Sequence, residues 1–399
     1  MSEHPALIGA WARSAVAPLG GAFRALQPHQ IAAPVVAALL QRAGISPAAV
    51  DAIVVGNALG AGGNPARMLA LAAGLPRHCA SYSVDTQCCS GLDAVALAVG
   101  LLTSGQASVV IAGGVEAWSR APIRQHRPLR AGDAALSYER PAFAPDPAQD
   151  PDLLASAARY AALHGITRLQ QDGYAAHSHQ QALAQQAGVA EELVVVAGLQ
   201  QDPYPRLISA QKAARMPVAA RFAANAVVAQ SALGAEQPTS ADCAVSSLAI
   251  SAKADGAAFV LLATPQASAA LGIPPRATWV ASASIGDDPA TPLLAAEKAT
   301  RAALARAGLA SIHDVQAVEL HDAFAVQGLG FCQALQLEPQ SINRRGGGLA
   351  RGHPIGASGA VALVRVLADL QRDGAAGARG LAAIAGAGGI GAAAVVQRL

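Results

Sequence analysis

The sequence predicts a layered α/β protein built from two similar βαβ halves. Apolar, strand-like segments alternate with helix-period segments near the beginning and near the end of the 399-residue chain, as in βαβ units. The strand segments are nearly continuous apolar runs, which is typical of mostly parallel sheets buried on both faces. Residues 120–240 break this alternation with loops rich in Pro, Arg and Gln. We therefore expect two duplicated halves, with an insertion standing on the first.

The first half is predicted over residues 1–119, and a return strand within 241–270 joins it after the insertion. Its helices show apolar residues at helical spacing, and its strands are short apolar runs. In order, the elements are a strand from Ala6 to Ala12, a helix over 34–45, a strand over 50–59, a helix that begins near Cys88, and a strand over 107–118.

The second half is predicted over residues 271–399 and repeats the pattern. A glycine-rich loop precedes its last helix. The elements are a strand over 276–286, a helix over 293–309, a strand over 315–324, a helix from about Ile355 to Leu370, and two strands over 380–388 and 389–399.

The insertion contains one clear helix pair, over 153–165 and 168–188. Long insertions in compact domains are usually functional, so we expect a lid or a substrate-binding excursion. A surface elaboration without function is the alternative.

Composition excludes several classes of partner. The chain is 53% hydrophobic and 14% charged with a net charge of +2, which favours neither nucleic acid nor a membrane surface. Five cysteines without paired spacing predict reduced thiols rather than disulfides, and hence a cytoplasmic protein. The apolar stretch over 380–396 is short and rich in glycine, so two strands fit better than a membrane span.

Cys88 and Cys89 lie where a strand ends and a helix begins. A thiol at a helix N-terminus is stabilised as the thiolate and becomes nucleophilic. An inert, buried cysteine is the alternative. Only one of two neighbouring side chains can face a site, so we expect the other to pack inward.

His353 and His321 are the candidate partners of the cysteine. His353 stands between a glycine-rich loop and a proline-led helix, in "GGGLARGHPIGASGA". It opens the helix that matches the Cys88 helix in the other half, so a pseudo-twofold axis would bring both helix ends to one cleft. The resulting pair is a nucleophile with its proton acceptor. His321 ends a buried strand, beside Asp322, where side chains commonly enter the cleft of an α/β protein. A hydrogen-bonding or solvent-facing histidine is the alternative at both positions.

Metal and nucleotide sites are not predicted. The pair His177 and His179 lacks a third ligand, and neither CxxC nor HExxH occurs. The glycine cluster over 56–67 lacks the GxGxxG spacing of a dinucleotide site.

Several ordered motifs resemble the thiolase family over nearly the whole chain. "GGVEAWSRAP" is similar to its GGMESMSRAP, "VDTQCCSGL" to its VNxQCSSGL, "ELHDAF" to its NEAF segment, and "GHPIGASGA" to its GHP motif. The HDxF form is similar to the branch that includes the sterol-carrier-protein-type thiolases. The resemblance implies a five-layered αβαβα fold, an inserted CoA-binding loop domain, and homodimers or homotetramers. It also implies acyl-CoA substrates, with CoA as substrate or product and no tightly bound cofactor.

Carried over by position, the resemblance assigns roles to three side chains. Cys88 falls on the acylated nucleophile, His353 on the histidine that activates it, and His321 on the asparagine that holds an oxyanion-hole water. The backbone N–H of Cys88 and one in the turn of Ala387 and Gly388 can bind a thioester oxyanion. For the CoA phosphates we expect contacts from a set of polar residues, with solvated surface as the alternative: Arg206, Arg215, Arg221 and Ser247.

The sequence departs from the family at the second catalytic thiol. The two positions at which the family is known to carry this thiol are occupied by Ala385 and Ala323. Leu153 and Leu154 also stand where the family has a Met-Gly pair, which bears on the fit of the acyl chain. Loss of a general base typically lowers a rate by roughly 10²–10⁴.

Three functions remain open on the sequence. The first, which we favour, is a thiolase that cleaves or condenses 3-ketoacyl-CoA with His321 or a water as the changed base. The second is a decarboxylative condensing enzyme with a Cys-His-His site. The third is a thiolase-like subunit that only transfers acyl groups or is not catalytic.

Overall fold

The structure is a computed structural model that describes residues 6–60, 62–222 and 242–399. The first half contains, in chain order, β1 (Leu7–Ser14), β2 (Ala17–Pro18), α1 (Pro28–Ala43), β3 (Ala52–Gly56), α2 (Pro65–Ala72), β4 (Ala80–Val84), α3 (Ser90–Thr103) and β5 (Val109–Ala117). The insertion follows with β6 (Arg124–His126), β7 (Leu136–Tyr138), α4 (Leu153–Leu163), α5 (Arg168–Ala184), β8 (Leu193–Val194), α6 (Ala210–Ala214) and β9 (Val218–Ala220).

The chain then returns to the first half and continues into the second. The return comprises β10 (Val245–Ser246), β11 (Ala254–Ala263) and α7 (Pro265–Leu271). The second half contains β12 (Ala277–Gly286), α8 (Ala295–Arg306), β13 (Ala317–His321), α9 (Ala325–Leu335), α10 (Gly348–Arg351), α11 (Ser358–Asp373), β14 (Arg379–Gly386) and β15 (Ile390–Arg398).

The strand order shows the predicted duplication directly. The large sheet runs β13-β14-β15-β12-β1-β11-β5-β3-β4. The two halves meet where β1 pairs with β12, at Leu7 and Thr278. Counted away from this pair, the strands β1, β11, β5 and β3 of the first half correspond to β12, β15, β14 and β13 of the second. β4 has no counterpart in the second half. The duplication predicted from the alternation of elements is therefore confirmed.

The prediction of mostly parallel sheets is wrong. β3 pairs parallel with β4 and β5, and β13 with β14. In contrast, β11 is antiparallel to β1 and β5, and β15 is antiparallel to β12 and β14. The last strand of each half arrives by a return of the chain rather than by a helical crossover, and only a crossover keeps neighbouring strands parallel.

The helices form three layers around the two halves of the sheet. α3 packs on β3 and β5, α11 packs on β13 and β14, and these two helices contact each other in the middle. α1 covers the outer face of the first half, and α8 covers that of the second. This order of layers is the five-layered αβαβα arrangement that the resemblance implied.

Local sequence explains where the helices begin. α1 begins earlier than predicted, because Pro28 suits the first turn and Gln27 forms a capping box with Gln30. α5 begins with a capping box of Thr167 and Gln170. The helix predicted from Ile355 is a short 3-10 turn that continues into α11.

The insertion contains both predicted helices, α4 and α5. β8 of the insertion pairs with β1 of the first half, and α5 packs against α9 and α10 of the second half, so the insertion rests on both halves rather than on the first alone. The predicted insertion extends to residue 240, and its segment 223–240 lies outside the described residues. The apolar stretch over 380–396 is a strand, a turn and a strand, as predicted. Within the described ranges, the helices lack the combination of length and hydropathy that crossing a bilayer requires.

Candidate active site

Cys88 lies on a tight turn between β4 and α3. Gln87 just before it has a φ of 52°, a left-handed conformation that is uncommon for a residue other than glycine. The turn is held by Ser90, whose hydroxyl donates to the Gln87 carbonyl at 2.5 Å and accepts the Thr86 N–H at 2.9 Å. The sequence therefore places the Cys88 side chain just ahead of the first turn of α3.

His353 lies on the loop between α10 and α11, and three hydrogen bonds hold its backbone. Its N–H donates to the Ala252 carbonyl at 2.7 Å, and its carbonyl accepts the Trp118 indole N–H at 3.1 Å and the Ala254 N–H at 3.3 Å. Gly352 before it has a φ of 112°, and a Cβ there would lie 3.0 Å from the Ala254 Cβ. Glycine is therefore required at this position for the loop to approach β11.

The two predicted partners are in direct contact. The Cys88 sulfur lies 3.2 Å from Nε2 of His353. The other ring nitrogen, Nδ1, lies 2.8 Å from the Ser358 hydroxyl oxygen, and that hydroxyl donates to the Pro354 carbonyl at 3.1 Å. Because the hydroxyl proton is used in that bond, we assign the ring proton to Nδ1. Nε2 is left with a lone pair directed at the thiol, which is the arrangement of a general base.

Burial keeps this pair neutral before a ligand binds. Burial raises the pKa of Cys88 to about 12, and the N–H groups of Ala387 and Cys88 that bond to the sulfur offset only part of that effect. Burial also lowers the pKa of His353 to about 4. The sequence predicted a thiolate stabilised at a helix N-terminus. Desolvation opposes that stabilisation and outweighs the amide dipoles, so burial favours the protonated thiol.

Cys89 faces away from this pair, as predicted. Its side chain is almost fully buried, and its sulfur lies 3.8 Å from the Ile384 carbonyl oxygen and 3.9 Å from that of Ile390. It therefore packs against the hairpin of β14 and β15.

His321 stacks on the back of His353. The ring centroids are 4.4 Å apart with 27° between the planes. Burial, followed by the neighbouring His353 and Arg351, lowers the pKa of His321 well below its usual range. Its Nε2 is buried and has no hydrogen-bond partner within the described parts of the chain.

Cys88 and His353 open onto a cavity of about 100 Å³. Polar side chains contribute to its wall at Ser251 and Gln327, and the remaining side chains are apolar. His321 is not part of this wall. The full set of lining residues is Cys88, Leu153, Ile250, Ser251, Pro292, Leu293, Ala323, Phe324, Gln327, His353, Ala385, Gly386 and Ala387.

Both positions at which the family carries the second thiol, here Ala385 and Ala323, line this same cavity. Ala385 and Ala323 contribute to its wall from β14 and from the loop before α9. Ala387 lies beside them and directs its N–H at the Cys88 sulfur, while Gly388 turns the chain with a φ of 83°. Leu153, predicted to affect the fit of the acyl chain, also lines the cavity, whereas Leu154 does not.

The predicted CoA contacts lie away from this cavity. Arg206 stacks on the Tyr204 ring, with 4.4 Å from its guanidinium carbon to the ring centroid. Arg215, at the end of α6, and Arg221 are exposed. Ser247 is exposed and donates its N–H to the Pro217 carbonyl. None of the four lines the cavity of Cys88.

Sequence reasoning missed two groups that fix the His353 loop. Ser358, which sets the histidine tautomer, looked like one small residue in a glycine-rich run. Glu116 accepts backbone N–H groups from Ala58 at 2.9 Å and from Gly356 at 3.1 Å, and so joins the two halves beside the site. A charged residue inside the apolar run of β5 was the signal that could have revealed it.

Comparison with known proteins accounts for this arrangement. The family model described as "Thiolase, N-terminal domain" matches residues 6–266, and the model described as "Thiolase, C-terminal domain" matches residues 273–398. The chain belongs to the thiolase family. It is an acyltransferase of the thiolase type, as the motifs predicted, and the two alternative functions are not favoured by these matches.

Individual relatives of this thiolase-family protein extend over its full length. An acetyl-CoA acetyltransferase from Rhizobium meliloti is 34% identical over 408 aligned positions, with 100% of each chain covered. The crystal structure of the Bacillus anthracis acetyl-CoA acetyltransferase matches with a TM-score of 0.86 at 29% identity, covering 99% of each chain. The Acat5 thiolase from Ascaris suum, in complex with coenzyme A, matches with a TM-score of 0.85 at 25% identity, covering 99% of this chain and 100% of that one. The assignment to the HDxF branch stays a prediction.

Proposed function

We propose that the protein transfers acyl groups through a thioester on Cys88, as an acyl-CoA C-acyltransferase that cleaves or forms 3-ketoacyl-CoA. The observation that carries the proposal is the 3.2 Å contact between the Cys88 sulfur and the unprotonated Nε2 of His353. The contact lies at the wall of a cavity lined mainly by apolar side chains.

Acylation follows from this geometry. His353 Nε2 takes the Cys88 proton as the sulfur attacks the thioester carbonyl of an acyl-CoA. The new sulfur–carbon bond forms, the bond from the carbonyl to the CoA sulfur breaks, and the proton passes from His353 to the departing CoA thiolate. The N–H groups of Cys88 and Ala387 support the oxyanion, with Gly388 shaping the turn that presents them.

The carbon–carbon step needs a second proton acceptor, and we assign it to His321 or to a water that it holds. With alanine at 385 and 323, the cavity wall presents no thiol other than that of Cys88. His321 is neutral, contacts His353, and has a free buried Nε2. A neutral imidazole is suited to remove a proton from the α-carbon of a second acyl-CoA and to return it in cleavage.

A malonyl-type donor fits this cavity less well. The side chains that line it include no lysine or arginine to pair with a free carboxylate. The cavity therefore supports condensation of plain acyl groups over decarboxylative condensation.

Coenzyme A is proposed as the exchanging substrate, and no tightly bound cofactor is required. The Ascaris suum relative, described in complex with coenzyme A, supports this choice. We retain Arg206, Arg215, Arg221 and Ser247 as proposed contacts for its phosphates and pantetheine arm. The exposed positions of Arg215, Arg221 and Ser247 leave them accessible to a ligand.

Assembly into a homodimer is proposed through the β4 edge of the sheet, with a homotetramer as the larger alternative. β4 is last in the strand order, and exposed edge strands readily pair with another chain. Tyr82 on β4 and Leu71 on α2 are each about half exposed beside that edge.

A cytoplasmic location is proposed from the state of the cysteines. All five cysteines are free and buried, which suits a reducing cytoplasm.

We propose domains at 1–119, 120–240, 241–270 and 271–399. The pairing of β11 between β1 and β5 supports the assignment of the return segment to the first half.

Intact mass spectrometry after incubation with acetyl-CoA tests the proposal. We expect a single acetyl adduct on the wild-type protein and none on Cys88→Ser. An adduct that persists in Cys88→Ser, or none on the wild type, would disprove acylation at this residue. Release of the adduct by free CoA, with acetyl-CoA as product, would establish transfer as opposed to a dead-end modification.

A further inference from the structure

Leu293 lies on a segment outside the motifs that resemble the family. It belongs to the 3-10 turn Pro292–Leu294 between β12 and α8, and its side chain is almost fully buried. It lines the cavity of about 100 Å³ that also contains Cys88 and His353. Its role follows from two further cavities that it also lines.

Two more cavities lie beyond Leu293, and it lines both of them. The first has a volume of about 30 Å³ and is shared with Tyr160, Gln327 and Phe331. The second has a volume of about 70 Å³ and is shared with Tyr160 and Leu163. Leu293 therefore stands between the space at Cys88 and two further spaces under α4.

The outer cavities suit a hydrocarbon chain. Apolar side chains and aromatic rings make up much of their walls, and Leu163 at the outer end is about half exposed. A chain directed past Leu293 would therefore run between α4 and the turn before α8 and leave towards the surface.

We propose that Leu293 sets the acyl-chain length that this enzyme accepts. With leucine at 293, the cavity at Cys88 takes short acyl groups, and the tail of a longer chain is stopped before the two outer cavities. This inference deepens the proposed function and rests on acylation of Cys88. The bonds made and broken are those of that acylation, and only the length of the transferred acyl group differs.

The test compares acylation of Cys88 by acetyl-CoA and by octanoyl-CoA in two variants. Leu293→Ala removes the side chain that all three cavities share. Leu294→Ala is the matched control, because Leu294 lines both outer cavities but not the cavity at Cys88. Initial rates of adduct formation are read by intact mass, and thermal melting confirms that each variant is folded.

We expect Leu293→Ala to raise the octanoyl-to-acetyl rate ratio at least tenfold, since one methylene in an apolar pocket changes discrimination by roughly 10–200-fold. Leu294→Ala is expected to leave the ratio within about twofold. An unchanged ratio in Leu293→Ala, or an equal rise in Leu294→Ala, would overturn the assignment of Leu293. Failure of acetylation in the wild type would instead count against the proposed function.

If Leu293→Ala melts too low to measure, Leu293→Phe provides a second test. The larger ring is expected to shorten the accepted chain, so that the butyryl-to-acetyl ratio falls below that of the wild type. A ratio that stays at the wild-type value would count against Leu293 as the limit.

Discussion

The imidazole rings of His321 and His353 stack with their centroids 4.4 Å apart, with His321 buried and His353 partly exposed. Burial lowers the pKa of both, and the charge of one ring would further lower the pKa of the other. At most one ring of the pair is therefore protonated at a time. This relationship allows one histidine to serve the thiol while the other stays available as a neutral acid/base.

His321→Asn separates the two steps of the reaction. We expect acetylation of Cys88 to change by less than tenfold, because His353 keeps its contact with the sulfur. Carbon–carbon cleavage of acetoacetyl-CoA is expected to fall by roughly 10²–10⁴, the typical cost of losing a general base. Single-turnover mass measurements give the first rate, and consumption of acetoacetyl-CoA with CoA gives the second.

A rescue variant identifies the reason for that loss. Ala385 lines the cavity beside Cys88, so Ala385→Cys in the His321→Asn background supplies a new thiol there. We expect cleavage to recover at least tenfold, whereas Ala385→Ser, which adds a hydroxyl too weakly acidic to exchange the proton, should not restore it. Equal loss of both steps in His321→Asn would mean that His321 only supports the structure of His353.

Alkylation by iodoacetamide reports the protonation state of Cys88. Because burial raises the pKa of this thiol to about 12, the rate at Cys88 is expected to rise about tenfold per pH unit from pH 7 to 9 without a plateau. Peptide mapping distinguishes Cys88 from the other four cysteines, with Cys88→Ser as the control. A plateau below pH 8 would indicate a stable thiolate–imidazolium pair.

Ser358 is a positioning residue for His353. Ser358→Ala removes the acceptor of the Nδ1 proton, so the wrong tautomer becomes populated and acetylation is expected to slow by up to about tenfold, the value of one hydrogen bond. The loss should appear in the maximal rate of acetylation and leave the acetyl-CoA concentration for half-maximal rate unchanged. Ser358→Thr, which keeps the hydroxyl, is expected to recover the rate, and its failure to do so would count against the tautomer role.

Glu116 makes stability depend on pH. Burial raises its pKa to about 7 from an ordinary value of 4.5, so between those values the unfolded chain loses the proton while the folded chain keeps it. The stability from this group is fully present below pH 4.5 and lost as the pH rises to 7, by about 3 kcal/mol. Urea unfolding at several pH values should show this loss of unfolding free energy in the wild type. Glutamine does not titrate, so the unfolding free energy of Glu116→Gln should lack this pH dependence. Parallel pH curves for the two proteins would contradict the assignment.

A buried ion-pair chain ties the insertion to both halves. Arg13 of β1 donates to Glu192 at 2.7 Å, and Glu192 also binds Arg365 of α11, with all three side chains buried. Arg365→Met leaves Glu192 partly unpaired and is expected to lower the free energy of unfolding by about 3–5 kcal/mol. Arg301→Met, at an exposed pair with Glu297, is the control and should cost at most about 1 kcal/mol. Similar losses in the two variants, measured by urea unfolding, would contradict a structural role for the buried chain.

The sequence by itself determined the duplicated halves and the approximate positions of six helices, α1, α3, α4, α5, α8 and α11, and it predicted Cys88 and His353 as the catalytic pair. Those features follow from local periodicity and from motifs in which residue type and spacing are sufficient, as at Cys88 and His353. The sequence predicts a thiolate at Cys88 from the helix N-terminus, whereas the burial that raises the pKa of this thiol is not visible in sequence.

Only the tertiary structure decided how the two side chains are held and which residues border their cavity. The tautomer of His353 depends on Ser358, its backbone on contacts with β11 and Trp118, and its loop on Glu116 from the other half. The mixed direction of the strands and the place of Leu293 between three cavities depend on segments far apart in the chain. Contacts of this kind form only when distant segments are brought together, and no local pattern records which of them will meet.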